Sequence, residues 1–96
     1  MKAHFRISLS KELSKFLKIK SLKSKRIHKV LQSITEDNID DFIERNYNAM
    51  LYGSGKHSYN MVLDIDEYPV LAKSKIKPVY LIRGAINEVL NNTVRS

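Results

Sequence analysis

The chain of 96 residues carries 17 Lys+Arg against 10 Asp+Glu, a net charge of +7, and no cysteine. At this length it forms one small domain, 1–96, that buries only ~60% of its unfolded surface, and it has no disulfide, thiolate nucleophile or Cys-ligated zinc. Its apolar runs, Met61–Leu63 and Pro78–Ile82 among them, fall far short of the roughly 20 residues of a membrane span, and no apolar run of a secretory signal follows Lys2, His4 and Arg6; a cytoplasmic protein without membrane segments is expected.

Over residues 3–9, Phe5, Ile7 and Leu9 alternate with His4, Arg6 and Ser8, the period-2 pattern of a half-buried strand. Ser10 then caps a helix over 11–19, in which Leu13, Phe16 and Leu17 fall on one face. The stretch Ser21-Leu22-Lys23-Ser24 breaks the chain and caps a second helix over 24–34, striped by Ile27, Val30, Leu31 and Ile34. A helix over 36–52 follows, with Ile39, Phe42, Ile43, Tyr47 and Met50 at helical spacing and its acids in the first turns, where the macrodipole favours them. Gly53-Ser54-Gly55 ends it and lets the chain reverse.

The order of strand, short helix, turn and longer helix then returns. Tyr59, Met61, Leu63 and Ile65 alternate with Ser58, Asn60, Val62 and Asp64, imperfectly at Val62. Asp66 is expected to cap a short helix with Pro69 in its first turn and Val70 and Leu71 on its apolar side. After Lys75-Ile76-Lys77, Pro78 suits the first position of a helix carrying Ile82, Ala85, Ile86 and Val89 and ending at Asn91-Asn92. Ile27–Leu31 superposes on Ile82–Ile86 at an offset of 55, the strands at 54 or 56, so the chain reads as a degenerate repeat: 3–34, a linker helix 36–52, and 58–92.

Charge follows this division. Residues 1–34 carry +9, residues 35–57 carry −3 and residues 58–96 carry +1. Positive charge concentrated in one third of the chain is the footprint of a surface for nucleic acid, or for an anionic membrane. A single strand cannot satisfy its backbone in water, so each half needs the other's strand. Pairing leaves one wet face, with His4, Arg6 and Ser8 from the first strand and Ser58, Asn60 and Val62 from the second. Arg pairs with guanine, Asn with adenine, and Val touches a thymine methyl, which makes these six the candidate base-reading set. Ser21, Lys23, Ser24, Lys25 and Arg26 at the start of one helix, and Lys75 and Lys77 before the other, are the candidate phosphate contacts, because free N–H groups and the dipole already favour an anion there. Asp64, if outward, is a poor neighbour for phosphate.

The unit built on Phe5-Arg6-Ile7-Ser8-Leu9-Ser10 with Leu13, and on Leu81-Ile82-Arg83-Gly84-Ala85-Ile86 with Val89, resembles the ribbon-helix-helix DNA-binding family of the Arc and MetJ repressors. Two copies in one chain are similar to its single-chain members, such as TraY-type relaxosome accessory proteins of conjugative plasmids. The resemblance implies an α+β fold: a tandem ribbon-helix-helix pseudo-dimer with two short antiparallel strands, two helices per repeat and a linker helix. It implies sequence-specific duplex DNA binding with the ribbon in the major groove, for repression of transcription or for a plasmid or phage nucleoprotein complex, and self-association of units on DNA.

Other readings of the same residues are weaker or different in class. His4, His28 and His57 lack metal-ligand spacing and read as surface imidazoles; Asp37, Asp40 and Asp41 read as a helix start rather than a cation site. No metal or cofactor is expected, and with no phosphate loop, nucleophile elbow or HExxH present, no enzyme. Tyr47, Tyr52, Tyr59, Tyr68 and Tyr80 are scattered, which favours packing over the stacking platform of an RNA or single-strand binder. The acidic helix 36–52 leaves open a protein-interaction module, such as an antitoxin or an inhibitor.

Overall fold

A computed structural model describes residues 2–18, 23–51 and 55–95, with the backbone alone at 23, 24 and 93–95. The strand β1 (Lys2–Leu9) leads into a 3-10 helix (Leu13–Lys18), then α1 (Lys23–Ser33) and α2 (Ile39–Leu51). The strand β2 (His57–Asp64) leads into a second 3-10 helix (Ile65–Glu67), α3 (Pro69–Lys73) and α4 (Pro78–Arg95). The fold is a small α+β one with a two-stranded antiparallel sheet.

The alternation in β1 has the expected consequence: Ile7 and Leu9 are fully buried, while His4 and Arg6 are exposed. Met61 and Leu63 do the same in β2, and burying each such side chain contributes roughly 1.5–3 kcal/mol. The helix α4 forms the centre. Every residue from Leu81 to Ile86 is buried, since α4 packs on α1, α2, the first 3-10 helix and β1. Pro69 and Pro78 open α3 and α4, where a missing N–H removes no helical bond.

The helix α2 is part of the core. Phe42 and Met50 are buried against α4, and the contact is close because residue 84 is glycine: a Cβ there would lie 2.9 Å from the Phe42 ring. Asn46, also buried, donates to Glu88 Oε1 at 2.9 Å and to the Phe42 carbonyl at 2.8 Å, and accepts from Asn87 at 2.8 Å. Its polar atoms are thus satisfied without water. Gly55 brings the chain back against β1, with room for no side chain: a Cβ would fall 1.5 Å from the Leu9 carbonyl oxygen.

Several local expectations are corrected. The helix over 11–19 is a six-residue 3-10 helix. Ser10 does cap it, accepting from the Leu13 N–H at 3.2 Å, but Ser14 Oγ donates to the Lys11 carbonyl at 2.6 Å and competes with the helical ladder. Ser24 lies one residue inside α1 rather than capping it. The helix over 36–52 starts later, at Ile39, after a turn that Thr35 and Asn38 close reciprocally in the manner of a capping box: Thr35 N–H to Asn38 Oδ1 at 2.7 Å and Asn38 N–H to Thr35 Oγ1 at 3.2 Å. The cap in the second half is Asp64, which accepts from the Asp66 N–H at 3.1 Å, and Asp66 sits inside the 3-10 helix. Finally, α4 runs past Asn91-Asn92, both exposed, to Arg95.

Candidate nucleic-acid interface

The site follows from the register of the ribbon. Lys2 faces Asp64, His4 faces Val62, Arg6 faces Asn60 and Ser8 faces Ser58. Side chains on directly opposed residues of an antiparallel pair point to the same face, so all six candidate reading residues lie on one surface as three cross-strand pairs. His4, Arg6, Asn60 and Val62 are exposed, and Ser8 and Ser58 are half-buried at one end. Val62, where the alternation was imperfect, is 43% exposed on this face, so it stands out as an apolar contact among polar ones.

Beneath the ribbon the inward side chains hold the face in place. Tyr59 packs edge-on against Phe16, with ring centroids 5.3 Å apart. Arg83 of α4 donates from Nε to the Ser8 carbonyl at 3.0 Å and from Nη1 to the Met50 carbonyl at 3.1 Å, and lies 5.4 Å from the centroid of the Tyr80 ring. Burial lowers its pKa from the ordinary arginine value, partly offset by the phenol of Tyr80. Composition gave no sign that this arginine, unlike the exposed Arg6 and Arg26 of the basic third of the chain, is 8% exposed and works inward. The one available signal was its position inside the stripe Leu81–Ile86, where a solvated charge has no place.

Lys25 and Arg26 are exposed in the first turns of α1. Lys75 and Lys77 are exposed in the turn before Pro78, at the start of α4. Lys23 and Ser24 occupy the first turn of α1, their side chains lying outside the described residues, as does the whole of Ser21. Asp64 does not intrude as an open carboxylate, because its side chain caps the second 3-10 helix and its ladder partner is Lys2.

The remaining sequence candidates are dispersed. His28 is not a free surface imidazole: it is half-buried, its Nδ1 shares a hydrogen bond with the Tyr68 hydroxyl, and the two rings stack with centroids 6.0 Å apart. Tyr68 is buried, and desolvation, helped by the neighbouring Glu67 charge, raises its pKa above the ordinary 10.0. Tyr59, Tyr68 and Tyr80 are engaged in packing, Tyr47 is exposed on α2, and Tyr52 lies outside the described residues. Asp40 and Asp41 are exposed in the first turn of α2; no cluster of three or more metal-ligating side chains occurs among the described residues. None of the helices among the described residues is long and apolar enough to cross a membrane. No protein-family model, curated protein or solved structure matches this chain.

Proposed function

We propose that the chain binds duplex DNA in a sequence-specific manner, as a non-enzymatic tandem ribbon-helix-helix protein that inserts β1–β2 into the major groove. The observation that carries this reading is the register: it gathers His4, Arg6, Ser8, Ser58, Asn60 and Val62 on one outward face. Strands about 4.8 Å apart, with side chains, make a ribbon that enters a groove about 12 Å wide. Arg6 supplies a bidentate donor for guanine, Asn60 a donor and acceptor for adenine, and Val62 an apolar contact for a thymine methyl.

The pairing also supports the two-fold logic of the reading. Arg6 faces Asn60, 54 positions on, and Phe5 faces Met61, 56 positions on, so with either offset a pseudo-dyad relating the strands runs through the middle of the ladder. The helices α1 and α4 begin 55 positions apart, at Lys23 and Pro78, and pack against one another. Lys25, Arg26, Lys75 and Lys77, at the starts of these two helices, serve in this reading as phosphate contacts that fix position without reading sequence. Repression and assembly of a nucleoprotein complex of the relaxosome type, with units side by side on DNA, both use this interface.

The test is fluorescence-anisotropy titration with the duplex adjoining the protein's own gene and with a scrambled duplex, each at two salt concentrations. Tighter binding to the native duplex, with affinity falling steeply as salt rises, is the expected result. Equal weak binding to both duplexes overturns sequence-specific reading.

A further inference from the structure

The helix α2 carries two apolar lines. Phe42 and Met50 are buried against α4, whereas Ile39, Ile43, Tyr47 and Leu51 succeed one another at every fourth position on another face. That spacing makes a continuous ridge. Tyr47 is 49% and Leu51 57% exposed, the two largest exposures of big hydrophobic side chains in the described residues.

Facing the ridge are Ile76, in the turn before α4, and Tyr80 in its first turn. Between them runs a groove of about 410 Å³ at the Leu51 end, continuing into about 290 Å³ at the Ile39 end through their shared Ile43 and Ile76. The charged side chains lining the larger part, among the described residues, are Lys75 and Lys77, both exposed, and no carboxylate lines it, whereas Glu36 and Asp40 line the smaller part beside Lys73 and Lys75. Over the larger part, from Ile43 to Leu51, the ridge is about 12 Å long at helical rise, the length of a helix of about two turns.

We propose that this groove docks a short acidic amphipathic helix of a protein partner, its apolar face on Tyr47, Leu51, Ile76 and Tyr80 and its carboxylates on Lys75 and Lys77. Over the larger part charge selects the occupant: an apolar floor whose charged rim is Lys75 and Lys77 complements an apolar helix face flanked by acids. A second copy set with the two larger parts face to face about a two-fold axis would gather four lysines, Lys75 and Lys77 of each copy, over one apolar floor, a repulsive contact. The consequence for DNA rests on the duplex-binding reading above: Lys75 and Lys77 serve phosphate there, so helix and duplex exclude one another and the partner releases the chain from DNA.

The probe is a fluorescein-labelled synthetic helix of about 14 residues, long enough to cover the ridge, with leucines on one face and glutamates on the other. It is titrated with the full chain in the absence of DNA, beside a counterpart in which lysine replaces every glutamate. The acidic helix is expected to bind at least about tenfold more tightly than the basic one, and to weaken about tenfold both with Leu51→Glu and with the paired variant Lys75→Glu, Lys77→Glu. Thermal melts confirm that these exposed substitutions leave the chain folded. Equal binding of both helices, or indifference to Leu51→Glu, overturns the proposal. So does a solution mass that doubles for the wild type and returns to that of one chain with Leu51→Glu, which assigns the groove to a second copy.

A second arm adds the acidic helix to the chain already bound to labelled duplex. Loss of the DNA signal supports shared lysines, whereas simultaneous binding of both overturns the competition. A chain that binds the helix but no duplex overturns the DNA reading and leaves the docking intact, so the two failures are distinct.

Discussion

Arg83, deep in α4, donates to the carbonyl of Ser8 at the end of β1 at 3.0 Å, and through its other nitrogen to the carbonyl of Met50 near the end of α2. One side chain thus ties the ribbon to the two helices that support it. The carbonyl of Met50 lies in the last turn of α2, among those the helical ladder leaves over, and Ser8 is the last residue but one of β1.

Replacing Arg83 by methionine keeps the apolar stem but removes both donors. Loss of charge-assisted bonds to buried carbonyls is expected to lower unfolding stability by about 2–4 kcal/mol in urea titration. Arg83→Lys is expected to recover only part of this, because one ammonium does not span both acceptors with the fork geometry of a guanidinium.

Arg6→Ala and Asn60→Ala remove exposed side chains from the outward face, so each melts within about 0.5 kcal/mol of the wild type. On the duplex reading, each is expected to lose about 1–3 kcal/mol of discrimination between native and scrambled DNA, measured by competition anisotropy. Unchanged discrimination in both variants removes the ribbon as the reader.

Neutralising Lys25 or Arg26 with glutamine, or Lys75 or Lys77, is expected to weaken native and scrambled duplexes alike. Each such loss lowers the slope of log affinity against log salt by about 0.9, which a salt series of titrations reads directly. A change confined to the native duplex contradicts a phosphate role.

Gly55→Ala places a methyl group 1.5 Å from the Leu9 carbonyl oxygen, where only backbone movement relieves the clash. A destabilisation above about 3 kcal/mol is expected by chemical denaturation. Gly84→Ala meets the Phe42 ring at 2.9 Å and the Met50 Cγ at 3.2 Å, side chains rather than backbone. Overpacking of about 1–3 kcal/mol exceeds the ~1 kcal/mol gained in helix propensity, so this variant is also less stable, but by less.

Burial raises the pKa of Tyr68 in the folded state above the value of 10.0 for a free phenol. In the window between the two values the unfolded chain has released the proton and the folded chain still holds it, so stability falls as pH rises. The contribution is complete below pH 10 and is lost as pH passes the folded value. Stability of the wild type above pH 10 is therefore expected to fall more steeply than that of Tyr68→Phe, compared by urea midpoints along a pH series.

The order of the elements and their apolar faces were legible along the chain, although several of their bounds were not. Alternation at Phe5, Ile7 and Leu9 and again at Met61 and Leu63 marks two strands, Ser10 caps the first short helix, and Pro69 and Pro78 open the later ones, because each signal arises among residues that are neighbours along the chain. How those faces meet is visible only in the folded chain. That Arg6 stands opposite Asn60, that Arg83 turns inward to Ser8 and Met50, and that α2, read as a linker, enters the core through Phe42, Asn46 and Met50 are relationships between distant segments. Local periodicity fixes which face is apolar but not what that face packs against, and a strand pattern of period 2 leaves every even shift of register open until packing selects one.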